Sequence, residues 1–335
     1  MARTAVAERQ PAMPGADERD PYIPLKIRFK AWWEGVDPLE LMRGADPARA
    51  AAAAKITVDP PADEPLGPWP PSRVALCRRL WDVDEDDEVV EPGGAAYTAE
   101  LYKPMGLDST KSGFDLSAGL GGGIRKLAKE RDLWLTGYEL EPDLAAEAMR
   151  LSTQHGMERR CPIKPLDEEA LDLGERRCDG VMLRERLHRI RNKQKLLDDI
   201  FTALKPYGHL VLTDLVLESE SAADHPVVAG WLKRAEERAA DGSTLHLWTK
   251  ADVKKGILSN RMDLRIFEDE TEKYLGLVQG GWARFVGGLT KAEMTRPFVD
   301  DMMREAEYWL YLSKALESGK LRYLRAHAIR GGETL

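Results

Sequence analysis

Between residues 110 and 215 short apolar runs alternate with amphipathic stretches, and that alternation limits what this chain can fold into more than any other feature. GFDLS (113–117), LWLTGYEL (133–140), GVML (180–183) and HLVLTDLVL (209–217) have the length and side chains of strands. GIRKLAKE (123–130), DLAAEAMRLSTQ (143–154) and KQKLLDDIFTAL (193–204) have helical spacing, and KPYG (205–208) reads as a turn. Strands that alternate with helices of this length form βαβ units, which build a parallel sheet with helices on both faces. Ligands bind such sheets at the carboxyl ends of the strands, where the strand order reverses.

The flanks are different. Residues 1–71 are expected to be an N-terminal extension, polar over 1–20, Ala-rich and helical over 36–56, and closed by the proline-rich linker PPADEPLGPWPP (60–71). Proline fixes φ and removes a donor, so a domain boundary is placed near residue 71. The Rossmann-like domain is expected over 72–217, with helices around Arg73–Trp81 and Ala95–Tyr102 and a solvated acidic loop, Asp82–Glu88, between them. Residues 218–335 are read as a helical cover, apart from the strand candidates MDLRIF (262–267) and LRYLRAHAI (321–329).

Composition narrows the function. A net charge of −8 speaks against a general nucleic-acid binder. The three cysteines, Cys77, Cys161 and Cys178, have no zinc spacing and read as reduced thiols. No apolar run reaches the roughly 18 residues of a spanning helix, and the first 20 residues have no secretory pattern, so a cytoplasmic protein is expected. In PYIPLKIRFKAWWEG (21–35), three basic residues alternate with apolar ones before Trp32 and Trp33. This segment either packs its tryptophans on the main domain or touches anionic lipid. The pairs Glu305/Glu307 and Asp300/Asp301 read as solvated helix faces, and Trp231, Trp248, Trp282 and Trp309 as helical core rather than a cage for a methylated amine.

Two motifs carry chemistry. In DLSAGLGGG, Asp115 to Gly123, a strand ends, a glycine-rich turn follows and a helix begins. Glycine admits positive φ and close approach of a ligand, and the helix start offers unpaired N–H groups. The next strand ends on Glu139, 18 residues after Gly121, where a carboxylate can accept both hydroxyls of a ribose. Glu141 competes for that role.

The stretch 178–217 adds specificity: after a strand comes Arg184-Glu185, then His188-Arg189-Ile190, then a helix ending in Leu204-Lys205-Pro206-Tyr207-Gly208 before a strand. It resembles the second half of a class I S-adenosylmethionine (SAM) methyltransferase domain. Trp81 and Glu91-Pro92-Gly93-Gly94 resemble its small-amine and phosphoethanolamine branch. The resemblance implies an α/β Rossmann-like sheet whose last strand is antiparallel, and SAM as cofactor. It implies a SAM site at Asp115, Ser117, Gly119, Gly121 and Glu139, with Asp167 standing in for the adenine contact. Arg184, Glu185 and His188 would line the catalytic mouth. The chain departs from the pattern at Ser117-Ala118, which replace glycine and cysteine, at Tyr207, which replaces a glycine, and at Arg189, which takes the place of the branch's histidine.

The expected function is methyl transfer to nitrogen or oxygen of a small molecule or lipid head group. Peripheral membrane contact through 21–35 and a homodimer are left open. The rival is a methyltransferase-like fold that serves as a binding or assembly module; a nicotinamide oxidoreductase fits the 178–217 stretch less well.

Overall fold

The computed structural model describes residues 69–84, 86–168, 170–238 and 244–332, together with Ile27, Ala31 and Leu41. The chain divides into two compact units, Met1–Pro60 and Pro61–Leu335. Apart from those three residues, the basic aromatic segment 21–35 and the Ala-rich stretch 36–56 lie outside the described residues, as does the linker before Trp69.

The second unit is built on one seven-stranded sheet. Its strands are β1 (Ser112–Asp115), β2 (Trp134–Glu139), β3 (Ile163–Pro165), β4 (Cys178–Arg184), β5 (Leu204–Leu217), β6 (Met262–Asp269) and β7 (Leu321–Arg330). They lie in the order β3-β2-β1-β4-β5-β7-β6. All neighbours are parallel as far as β5, and β7 runs antiparallel between β5 and β6. The strand order therefore reverses between β1 and β4. Residues 262–330 thus complete the same sheet that residues 112–217 begin.

Alternation along β4 and β5 sends neighbouring residues to opposite faces. Val181, Leu183, Leu210 and Leu212 join one core, and Met182 and Val211 join the other. Helix α3 (Gly122–Arg131) places Ile124, Leu127 and Ala128 in the second core. Helix α5 (Lys193–Ala203) buries Leu196, Leu197, Ile200 and Ala203 in the first. Its start is fixed by Asn192, whose side chain accepts from the Lys195 N–H at 3.1 Å. Apolar burial on both faces is what a near-continuous apolar strand requires.

The remaining helices are α1 (Pro71–Trp81), α2 (Gly94–Tyr102), α4 (Pro142–Gln154), α6 (Pro226–Arg238), α7 (Lys250–Ser259), α8 (Thr271–Gly288) and α9 (Arg296–Glu317). No helix among the described residues is long and apolar enough to cross a membrane. All three cysteines are buried and free.

Three expectations need correction. KPYG is not a turn outside the sheet. Leu204 already pairs with Cys178 and His209 with Gly180, so Lys205–Gly208 form a bulge inside β5, with Tyr207 at φ 63° and exposed. Nor is the acidic run Asp82–Glu88 simply solvated. Asp87 and Glu88 are buried: Asp87 accepts the N–H groups of Val83 and Asp84, and Glu88 pairs with Arg125 at 2.6 Å. Glu305 is not on a solvated face either. It is buried between Arg73, at 2.7 Å, and Arg238, at 2.9 Å.

Candidate active site at the ends of the parallel strands

Strand β1 ends on Asp115, whose buried carboxylate accepts Ser117 N and Oγ at 2.9 Å each and the Tyr102 hydroxyl at 3.1 Å. Burial raises its pKa, and these bonds work against the shift. The Ser117 hydroxyl in turn accepts the Arg184 N–H at 2.8 Å. Its side chain thus ties the turn to β4. The Ala118 N–H donates to the Tyr138 carbonyl. Gly119 and Gly121 sit at φ 54° and 77°, the left-handed region that glycine enters without cost.

Glu139 ends β2 and is wholly buried. Its Oε2 accepts the Gly119 N–H at 2.9 Å and Nη2 of Arg186 at 2.7 Å, and its Oε1 accepts the Glu141 N–H at 3.1 Å. Glu141 is drawn away to Arg189, at 2.5 Å. Of the two carboxylates, Glu139 thus meets the glycine turn, and Glu141, the residue before α4, meets Arg189 instead.

At the end of β4, Arg184 donates to the Pro92 carbonyl at 2.5 Å and lies 5.0 Å above the Tyr97 ring. Glu185 has φ 50°, a strained value for a residue with a side chain. Its carboxylate accepts Tyr274 OH at 2.6 Å and Tyr323 OH at 3.2 Å, and burial, reinforced by Glu185, holds both phenols well above their usual pKa. His188, in the turn that follows, bonds Asp214 of β5 through Nδ1 at 2.5 Å.

The loop after α1 closes over the turn. The Glu91 carboxylate lies against Gly119, where a Cβ would overlap it, and the Asp87 carbonyl lies closer still to Gly122. Burial pushes Glu91 up to about 7, with Glu139 and Glu185 adding to it against Arg184 and Arg186. On the outer side, Arg238 stacks on Tyr308 at 4.2 Å and reaches the rings of Trp69 and Trp309, while Glu305 holds it in place.

One cleft is therefore lined by Glu91, Glu139, Glu141, Arg184, Glu185, Arg186, His188 and Arg189, with Trp309 at the cover. Of the residues expected from sequence, Asp115 and Ser117 form one hydrogen-bonded pair and Gly119 and Glu139 a second, joined through the turn that the Gly121 N–H closes on the Ala118 carbonyl. Arg184, Glu185 and His188 stand beside it. Asp167 is apart from both: it lies exposed beyond β3, its Oδ1 accepting the Ala170 N–H at 3.4 Å, and it is not among the residues lining this cleft. Sequence reading gave no site role to Glu91, Arg186, Asp214, Tyr274 and Tyr323. Glu91 stood in the Glu91-Pro92-Gly93-Gly94 motif and Arg186 beside the Arg-Glu pair, both already singled out. The other three come from distant elements and carry no local pattern. Of the four tryptophans, Trp231 and Trp282 are core, and Trp309 lines the cleft.

Residues 94–256 match the family model described as a methyltransferase domain. The structure of phosphoethanolamine N-methyltransferase 2 from Haemonchus contortus in complex with SAM superposes with a TM-score of 0.62 at 17% identity, over 77% of this chain and 56% of that one. The fold is that of a class I methyltransferase. In this methyltransferase fold, β7 inserted antiparallel before β6 completes the sheet. A second structure with the fold, the [4+2]-cyclase SpnF, gives a TM-score of 0.55 at 15% identity, over 71% of this chain and 82% of that one. By sequence, the chain is 27% identical over 126 residues to phosphoethanolamine N-methyltransferase 2 of Caenorhabditis elegans. That match spans 37% of this chain and only 28% of the relative.

Proposed function

We propose that this cleft binds SAM and that the protein transfers its methyl group to nitrogen or oxygen of a small-molecule acceptor. The observation that carries the reading is the bond between Gly119 N and the Glu139 carboxylate, which sets a buried acid against a glycine turn at the ends of β1 and β2. The same groups provide a test of fit. A carboxylate has about four lone-pair sites. Three are taken here, by Gly119, Arg186 and Glu141, so Oε1 keeps one for a ribose hydroxyl. A second opens when Arg186 moves. The buried Nε of Arg186 has no partner, so its present position is not fully satisfied. The residues fit SAM on that condition.

Glu139 would hold the ribose, and the turn from Asp115 through Ser117 and Gly119 to Gly121 would hold the rest of the cofactor. Asp167 would reach adenine only from the rim. Bound SAM supplies a methyl group on a positively charged sulfur. The chain's own task is then to orient the acceptor, exclude water and take any proton released. Arg184, Glu185 and His188, which line the cleft beneath α6 and α9, would do this. The phosphoethanolamine methyltransferase relatives support a small polar acceptor, and a lipid head group belongs to the same class. The net charge of −8 supports the expectation that nucleic acid is not the partner.

The second reading is a binding module without methyl transfer. Arg186 on Glu139 and Glu91 on Gly119 favour it, since both stand where the cofactor would lie. The fold alone does not choose between the two. Calorimetry with SAM and S-adenosylhomocysteine (SAH) does. Micromolar binding that Glu139→Ala abolishes supports the methyltransferase. No binding at millimolar ligand by the folded protein overturns it.

A further inference from the structure

His188 and Asp214 are both buried, and they meet in two ways. Nδ1 of His188 lies 2.5 Å from Oδ1 of Asp214, and the His188 N–H donates to Oδ2 at 3.0 Å. Oδ1 also accepts the Leu215 N–H at 2.6 Å. Each oxygen of Asp214 thus already receives a backbone donor, an arrangement that favours the carboxylate, which can only accept. The ring must then donate through Nδ1, and a neutral imidazole so held has a bare Nε2. That nitrogen has no hydrogen-bond partner among the described residues, and His188 lines the cleft beside Glu185 and Arg186.

The partner lies far away in sequence. Asp214 is on β5, 26 residues on, one position past Thr213, which pairs with Arg184 at the end of β4. The sheet register therefore delivers a carboxylate directly beneath the turn that carries the histidine. A histidine oriented by a buried acid, with its second nitrogen open to a ligand cleft, is the arrangement of a general base.

We propose that Asp214 is the positioning residue that holds His188 as the proton acceptor of this cleft, and that the methyl acceptor carries a hydrogen on its nucleophilic oxygen or nitrogen. This rests on the methyl-transfer reading. As the acceptor is methylated, its O–H or N–H bond breaks and the proton goes to Nε2 of His188. The electron pair stays on the acceptor atom and balances its new bond to the methyl carbon, while the pair of the broken carbon–sulfur bond remains on sulfur. The imidazolium so formed faces the carboxylate of Asp214.

The test uses the full chain labelled with ¹⁵N-histidine, with His188 assigned by its loss in His188→Gln. Long-range ¹H–¹⁵N spectra above pH 8 should show Nδ1–H and a bare Nε2. In Asp214→Asn an amide N–H₂ must face either a backbone N–H or the ring, and the ring should turn to the Nε2–H form. Diethyl pyrocarbonate, mapped by mass spectrometry, should modify His188 in the wild type and at least fivefold more slowly in Asp214→Asn. An Nε2–H ring in the wild type, or a His188 inert to the reagent, overturns the proposal even where Asp214→Asn does not fold. A sealed structural histidine would give the second result. With SAM and a panel of phenols and primary and secondary amines, methylation that falls about 100-fold in kcat in Asp214→Asn at unchanged KM for SAM supports it. Methylation indifferent to both variants overturns it. SAH calorimetry on the same samples separates the two failures: a protein that binds SAH with the wrong tautomer loses the dyad alone, and one that never binds SAH loses the methyl-transfer reading beneath it.

Discussion

Nη2 of Arg186 lies 2.7 Å from Oε2 of Glu139, and the two side chains form a buried ion pair across the cleft. The pair covers an oxygen that a ribose diol would need. Desolvating such a pair costs nearly as much as its attraction returns, so it is a latch that a competing donor can open. Arg186→Met should bind SAH about tenfold more tightly than the wild type, about 1.4 kcal/mol. Equal or weaker binding by calorimetry would remove the latch. A urea curve run alongside should show some loss of stability, because Glu139 is left with fewer donors.

Gly122 opens α3 with its Cα against the Asp87 carbonyl. An added methyl must push backbone, which has no rotamer to retreat into. Gly122→Ala should cost about 1–3 kcal/mol and lower the Tm by several degrees in calorimetry. Gly276, in the exposed middle of α8, has open space around its Cα. Gly276→Ala should be neutral or add up to about 1 kcal/mol. If both behave alike, the closed loop over α3 is wrong.

Glu91 is half-buried and titrates near 7 in the fold against 4.5 in the unfolded chain. Between those values the native state keeps a proton that the unfolded state has lost. Its contribution to stability is therefore full below 4.5 and is lost as pH rises through about 7. The loss is at most about 3 kcal/mol and less with partial solvent contact. Urea unfolding of wild type and Glu91→Gln at pH 5 and pH 8 checks the sign: the wild type should weaken more on going to pH 8. A steeper loss in Glu91→Gln would show that Glu91 is held ionised.

Glu305 joins α9 to α1 and α6 through Arg73, Arg238 and the Trp309 indole N–H. Burial works against its charge, but the two arginines outweigh it and hold its pKa at about 2. The stability it contributes is present above 4.5 and is lost as pH falls towards about 2. Glu305→Ala leaves two guanidinium groups without their shared carboxylate and should cost about 3–5 kcal/mol in urea unfolding. A loss under about 1 kcal/mol would mean that the cover is held by its aromatic packing alone.

The sequence by itself determined the parts of this protein that are local. Alternating apolar runs gave every strand of the parallel sheet except the short β3, because period and length are read within ten residues. The glycine turn at 119–121 and the acid that ends the next strand at 139 were legible as well, because positive φ and a strand-end position are properties of single residues. Even the last two strands, β6 and β7, were legible as apolar runs. What the tertiary structure decided was which charges meet. The acidic run 82–88 looks solvated until α3 brings Arg125 and Lys126 to it, and Glu305 looks exposed until α1 and α6 supply two arginines. Ser117, a departure from pattern in sequence, turns out to tie β1 to β4. Asp214 is one more strand residue until the β4–β5 register sets it beneath His188. A charge carries no pattern of its own along the chain: whether it is solvated, paired or catalytic depends on what the fold packs against it, and those partners lie 26 to 232 residues away.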